Sequence, residues 1–173
     1  MEIGNWMTQT TASEIMTRDV VTVNPHDSLA VAADVMLREQ VSGAPVVDEA
    51  KTCLGVLSIS DFLGVEEKAA EEREKIANSS FWNSNLTLPM RVYSERLQQV
   101  RDKLAPAAEQ PVERFMTSDL VSATEETPLA TVVQSMVDAH IHRVVVMDSG
   151  RRLRGIISTT DVLAALLNAS RVS

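Results

Sequence analysis

Two seven-residue stretches hold the side chains of this 173-residue chain that could do binding chemistry: Gly55-Val56-Leu57-Ser58-Ile59-Ser60-Asp61 and Gly155-Ile156-Ile157-Ser158-Thr159-Thr160-Asp161. Each is an apolar run ending in a serine, with an aspartate three residues later at the first turn of an expected helix. A carboxylate placed there can accept hydrogen bonds from both hydroxyls of a sugar diol. The hydroxyls of Ser58 and Ser60, or of Ser158 and Thr160, stand where a helix start offers unpaired N–H groups and the positive end of its dipole to a phosphate. Ser-x-x-Asp is equally what an ordinary helix N-terminus looks like, with a hydroxyl cap and an acid near the dipole. Its presence in two copies, each after Gly-x-x, tips the balance toward binding.

The two copies are unequal in charge. Arg143 interrupts an apolar strand at its start, and the aligned position in the first copy is Gly43; His142-Arg143 stands where the first copy has Ser42-Gly43. Arg143 is therefore the expected anion contact, whereas Arg151, Arg152 and Arg154 read as a solvated turn. The Asp161 site should take a phosphorylated ligand, and the Asp61 site should be weaker, empty or suited to a less charged one. His26, His140 and His142 do not make a metal centre, because the i, i+2 pair supplies two ligands and no cysteine lies near it. Mg²⁺ could enter through a bound triphosphate held by Arg143 and the acids. There is no nucleophile–base pair, metal cluster or Walker-type loop in the pattern, so catalysis is not expected.

Both stretches belong to one duplicated unit. Laying residues 16–64 over 116–164 needs no gap and gives 13 identities in 49 positions, against roughly one match in sixteen by chance. Each copy reads strand, helix, strand, strand, helix. Val20 to Val23 and Leu120 to Ala123 form the first strands. Ser28 caps the first helix and Thr127 the second, with Pro128 at its first position. Apolar residues at helical spacing follow: Leu29, Ala32, Ala33, Met36 and Leu37, then Leu129, Val132, Val133, Met136 and Val137. The two remaining strands join through polar turns at Asp48-Glu49-Ala50 and Asp148-Ser149-Gly150, and the closing helices start near Asp61 and Asp161. A fifty-residue unit leaves too much apolar surface wet to be stable alone. The expected fold is therefore α/β (α+β), two β-α-β-β-α units packed as a pseudo-twofold pair.

The boundaries expected are an extension over 1–11, a first unit over 12–64, a helical insert or linker over 65–111, a second unit over 112–167 and a tail over 168–173. Within the insert, Val65 to Ala77 should extend the first closing helix. Phe81 to Asn85 breaks it, and Tyr93, Leu97, Val100 and Leu104 form a stripe that Pro106 ends. The insert either lies on its own core or makes a partner surface. A net charge of −8 argues against nucleic-acid binding. With neither a basic leader nor an apolar run near 18 residues, the expectation is a cytoplasmic protein that does not engage membranes. Cys53, the single cysteine, reads as a small core hydrophobe.

The two units resemble a tandem pair of cystathionine β-synthase (CBS) domains, a Bateman module. The resemblance is carried by Ile15-Met16-Thr17, by Val41-Ser42-Gly43-Ala44-Pro45-Val46-Val47-Asp48, and by the two Gly-x-x-Ser-x-x-Asp endings; it covers 12–64 and 112–167, 109 of 173 residues. His142 to Val146 also resembles the nucleotide-contacting strand of the γ subunit of AMP-activated protein kinase. The resemblance implies a regulatory, non-enzymatic module that needs no cofactor. Its ligand would be AMP, ADP, ATP or S-adenosylmethionine, bound in the clefts between the units. Carried over by position, site one comprises Asp161, Ser158, Thr160, His142 and Arg143 with Thr17, Val20, Ser42 and Ala44. Site two comprises Asp61, Ser58 and Ser60 with Thr117, Leu120 and His142. A homodimer and a regulated protein partner are further implications. The alternative is a structural or oligomerisation pair with vestigial pockets.

Overall fold

The computed structural model describes residues 3–59, 61–62 and 107–171. Ser60, Leu63 and the expected helices of the insert up to Pro106 lie outside the described residues. The chain divides into two compact units, and the division does not follow the repeat. One unit contains Met1–Val20 and Val121–Ser173, the other Val21–Leu120. They are named below for their acids, the Asp161 unit and the Asp61 unit.

The Asp161 unit begins with α1 (Ile3–Gln9) and α2 (Ala12–Ile15). It continues with β3 (Ser122–Ala123), α4 (Leu129–Asp138), β4 (Arg143–Met147), β5 (Leu153–Ser158) and α5 (Thr159–Arg171). The Asp61 unit contains α3 (Leu29–Arg38), β1 (Gly43–Val47), β2 (Cys53–Ser58) and a 3₁₀ turn at Val112–Arg114; Ile59, Asp61 and Phe62 are helical after β2. The expected first strands shrink to Ser122–Ala123, parallel to β4, and to a single parallel bridge of Val23 to Val46.

What divides the repeat is an exchange of leading segments. Thr17, from the first copy, bridges Ile156 of β5, with its N–H donating at 2.9 Å and its carbonyl accepting at 3.0 Å. Thr117, from the second copy, makes the equivalent bridge to Val56 of β2 with two bonds of 2.9 Å. Each segment thus adds a short strand to the open edge of the other copy's sheet and satisfies backbone groups that the edge leaves unpaired. The glycines of the Gly-x-x-Ser runs make this approach possible. A Cβ at Gly155 would stand 2.6 Å from Met16 Sδ and 2.8 Å from Thr17 O; at Gly55 it would stand 2.9 Å from Met116 Sδ and 2.7 Å from Thr117 O. Neither glycine has a positive φ, so the requirement is for space rather than for a left-handed backbone.

The helices follow their apolar spacing. Leu29, Ala32, Ala33 and Met36 of α3 are fully buried, as are Leu129 and Val132 of α4, with Met136 nearly so; Val137, at the edge of its stripe, is 60% exposed. Ser28 caps α3 by accepting from the Val31 N–H at 3.3 Å. The expected cap at Thr127 is corrected. Pro128 occupies that position, matching Ser28 in the repeat, and the Thr127 hydroxyl accepts from the Thr124 N–H at 2.9 Å instead. Both helices leave through a left-handed residue, Gln40 (φ 54°) and His140 (φ 52°), the usual geometry of a helix C-terminus but without its usual glycine. Pro45 sits inside β1 without loss. The bonds of Val56 on its far side go to Thr117, and Val23 uses only the Pro45 carbonyl, so no ladder bond needs a Pro45 N–H. Cys53 is fully buried, as expected of a core residue.

Candidate functional site

The sheet register builds each corner from residues distant in sequence. Arg143 lies directly across the β4–β5 ladder from Ser158, and Thr17 lies across the next edge from Ile156. Directly opposed residues project to the same face, and so do alternate residues along one strand. Thr17, Ile156, Ser158 and Arg143 therefore share a face of the Asp161 unit. Val144, Val146 and Ile157 occupy the other face and are fully buried. Immediately after Ser158, α5 begins, carrying Thr160 (exposed) and Asp161 (half-buried) in its first turn.

Ser158 and Asp161 are locked together. The Asp161 Oδ2 accepts from the Ser158 N–H at 2.7 Å and from its hydroxyl at 2.6 Å, while the Asp161 N–H donates to Ser158 Oγ at 3.2 Å. This is a reciprocal helix cap, with the acid and the hydroxyl each satisfying a backbone donor of the first turn. The ordinary helix-start reading of Ser-x-x-Asp is thus realised. It does not use up the carboxylate. Oδ2 holds two donors, and among the described residues nothing donates to Oδ1, which keeps lone pairs for a diol.

The Asp61 unit repeats the motif with a different setting. Asp61 Oδ2 accepts from the Ser58 N–H at 2.6 Å and from its hydroxyl at 2.8 Å. Across the ladder from Ser58 stands Gly43, so no side chain occupies the place of Arg143. Ser58 is 1% exposed and Val56 1%, whereas Ser158 and Ile156 are half-buried. Burial lifts the Asp61 carboxyl to a pKa of about 6 from an ordinary 3.8, against the two Ser58 bonds, which pull it down.

The remaining expected contacts divide between the units. Thr17 (exposed), Val20, His142 and Arg143 join Asp161, Ser158 and Thr160 in one unit; Thr117 and Leu120 join Asp61 and Ser58 in the other. Ser42 and Ala44, expected in site one, belong to the Asp61 unit, and His142, expected also in site two, belongs to the Asp161 unit. Ala44 is fully buried in its unit's core cluster beside Val46, Leu57 and Phe62. Ser42 is 1% exposed, and its carbonyl accepts from the Ile59 N–H at 3.2 Å, just as the His142 carbonyl accepts from Thr159 at 3.0 Å. His142 Nε2 is a buried polar atom with no hydrogen-bond partner among the described residues. Such an atom carries a desolvation cost until something donates to it or accepts from it.

The arginine turn behaves as the solvated feature expected. Arg151 holds φ at 61° and Arg152 is exposed. Arg154 is the extra residue of a β-bulge opposite Val146 and Met147 and turns outward. Its guanidinium meets Asp148 Oδ2 at 2.9 Å and Glu125 Oε2 at 3.9 Å, and Glu125 Oε1 also takes Arg18 at 3.0 Å. The Asp148 carboxyl is held below its ordinary range, first by the Arg152 N–H and then by the Gly150 N–H and Arg154. The bulge left no mark in the sequence pattern, and the ion network left one hint, opposite charges six residues apart around a turn. Among the described residues there is no cluster of three or more metal-ligating side chains, and no helix is long and apolar enough to cross a membrane.

A two-stranded and a three-stranded sheet, each ending in a serine–aspartate helix cap and closed at its edge by the other copy's leading segment, define a tandem-repeat α/β module. The family model described as CBS domain matches residues 12–68 and 112–168, and the chain belongs to that family, as a tandem CBS pair. Among relatives, the inosine-5′-monophosphate dehydrogenase of Methanocaldococcus jannaschii is 26% identical over 152 residues, which is 88% of this chain but 23% of the enzyme's length. The chain thus matches about a quarter of that enzyme. Among solved structures, CBSX2 of Arabidopsis thaliana in complex with AMP aligns with a TM-score of 0.66 at 20% identity, covering 92% of this chain and 98% of that one. The CBS domain pair of protein MJ0100, in complex with 5′-methylthioadenosine and S-adenosyl-L-methionine, aligns with a TM-score of 0.60 at 19% identity, covering 92% and 98%.

Proposed function

We propose that this CBS pair is a regulatory module that binds adenosine-containing ligands, AMP, ADP or ATP foremost and S-adenosylmethionine next, at its serine–aspartate corners. The observation that carries the reading is the arrangement around Ser158. Ser158 and Arg143 share one half-open sheet face, and α5, which starts directly after Ser158, carries Thr160 and an acid with one oxygen unengaged by described residues. Asp161 Oδ1 would accept the ribose hydroxyls, Ser158 and Thr160 would stand at the phosphate end of α5, and Arg143 would counter the phosphate charge. His142 Nε2, buried and without a partner among the described residues, is a further group that a ligand would satisfy. The complexes of CBSX2 with AMP and of MJ0100 with methylthioadenosine and S-adenosylmethionine support the ligand class. The Asp61 corner, with Gly43 opposite its serine, would suit a less charged adenosine compound. Occupancy would favour one arrangement of the pair over another, and a protein partner in the cytoplasm would read that arrangement.

Calorimetry with AMP on Asp161→Ala and Asp61→Ala tests the assignment. The first variant should lose AMP binding, and the second should keep it. Equal losses would sink the inequality of the corners, and no binding to the unaltered chain would sink the ligand reading.

A second reading has its own support. Both serine–aspartate pairs already serve as helix caps, and Leu163 and Leu167, one turn apart on α5, are 66% and 55% exposed. A structural CBS pair that forms a homodimer through such a face, with vestigial pockets, would be unmoved by every adenosine compound in a thermal-shift panel.

A further inference from the structure

We propose that the Ser58–Asp61 corner is proton-linked: mild acid neutralises its carboxyl and so removes the acceptor on which a diol ligand would depend. The ligand part of this inference rests on the reading in the previous subsection; the proton part stands on the geometry of the Asp61 unit alone.

Asp61 is half-buried among buried neighbours, and among the described residues it makes no ion pair. Its neighbours in sequence, Leu57, Ile59 and Phe62, are buried at 0%, 2% and 0% exposure, and Ser58 at 1%. Across the ladder, β1 presents Gly43 and no cation. The other titratable group of β2 is the buried thiol of Cys53, which contacts Gly55 O. Among the described residues, the charged groups of α3 and its C-cap, Asp34, Arg38 and Glu39, and of the exchanged segment, Glu113, Arg114 and Asp119, are exposed. Among the described residues Ser58 is the counterweight, supplying two donors to a single oxygen. Two neutral donors offset part of the desolvation of a carboxylate but do not replace a paired cation, so the neutral acid is favoured relative to a carboxylate in water. The direction found for Asp61, raised to about 6 by burial, agrees with this. A protonated Asp61 still accepts from Ser58 but turns one oxygen into a donor, and an acid with one donor no longer matches two hydroxyls that both need acceptors.

The test uses the full chain labelled with ¹³C at aspartate carboxyls, the Asp61 resonance being assigned by its loss in Asp61→Asn, a variant that keeps an acceptor for Ser58. The Asp61 carboxyl carbon should titrate with a midpoint near 6. Adenosine, an uncharged diol probe, is then titrated calorimetrically into Asp161→Ala at pH 7.5 and pH 5.5. Its affinity should fall about fourfold, the ratio of ionised Asp61 at the two pH values for a group with that midpoint. A midpoint in the ordinary carboxylate range near 4 would overturn the inference, as would an adenosine affinity that is the same at both pH values. A midpoint near 6 with no adenosine heat at either pH would uphold the proton uptake and remove the ligand reading instead.

Discussion

The two corners share a backbone and differ in what surrounds it. In both, a strand ends in serine, the serine hydroxyl and N–H converge on one oxygen of an aspartate, and the other copy's leading segment closes the sheet edge two residues earlier. In the Asp161 unit the face is half open and has an arginine across the ladder; in the Asp61 unit it is closed and has a glycine. The hydrogen bonds are nearly the same, so they do not set the corners apart. Solvent and charge do. Desolvation of a carboxylate outweighs two neutral hydrogen bonds, and a nearby guanidinium reverses the balance for any anion that binds there.

If the shared part of the comparison is right, its most damaging substitutions act equally on both copies. Gly55→Ala and Gly155→Ala should each cost about 3 kcal/mol in urea unfolding, the upper end of overpacking, because a carbonyl oxygen blocks the added carbon and a flexible side chain is only part of the obstacle. A harmless alanine at either position would mean that the exchanged segment is not held as closely there. The next effect should belong to one corner only. Asp61 has a folded pKa above its unfolded value, so its unit is most favoured below about pH 4 and loses that advantage as pH rises through about 6. An elevation of that size is worth at most about 3 kcal/mol. Asp61→Asn should therefore gain about 2 kcal/mol at pH 7.5 and flatten the pH dependence between 4 and 6, as read from denaturation midpoints across that range. A variant less stable than the parent at pH 7.5 would reverse the argument.

Charge is the next handle. Arg143→Gly, which gives the Asp161 corner the residue of its twin, should weaken AMP about tenfold in calorimetry, the loss of one charge-assisted contact, while changing adenosine little. Equal losses for the two ligands would make Arg143 a packing residue. The smallest effect concerns the network of Arg18, Glu125, Arg154 and Asp148, whose first three positions are Ser118, Pro25 and Leu54 in the Asp61 unit. Arg18 is 61% exposed on its side chain, and pairs this open contribute below about 1 kcal/mol. Glu125→Ala should lower the melting temperature slightly at low salt and not measurably at high salt, as a thermal melt at two ionic strengths would register.

The sequence by itself determined what is local and what repeats. The duplication, the apolar stripes of both helices, the paired strands, the Ser28 cap and the contrast of Arg143 with Gly43 were all legible, because helix and strand periods and turn chemistry are written in neighbouring residues. The caps at Ser58 and Ser158 were legible too, although spacing could not separate a cap from a ligand site; in the structure Asp161 Oδ2 caps the helix, and among the described residues nothing donates to its Oδ1. Only the tertiary structure decided that Thr17 completes the edge of the second copy's sheet and Thr117 that of the first's, since an edge strand of one or two residues has no period to detect. It also decided that Gly55 and Gly155 are kept for close approach, that Arg154 is a bulge, and that two identical Ser-x-x-Asp motifs hold their acids on serines of different burial. Burial is a property of whatever packs on a residue from far along the chain, and a carboxylate's free energy follows that burial more than it follows its neighbours in sequence.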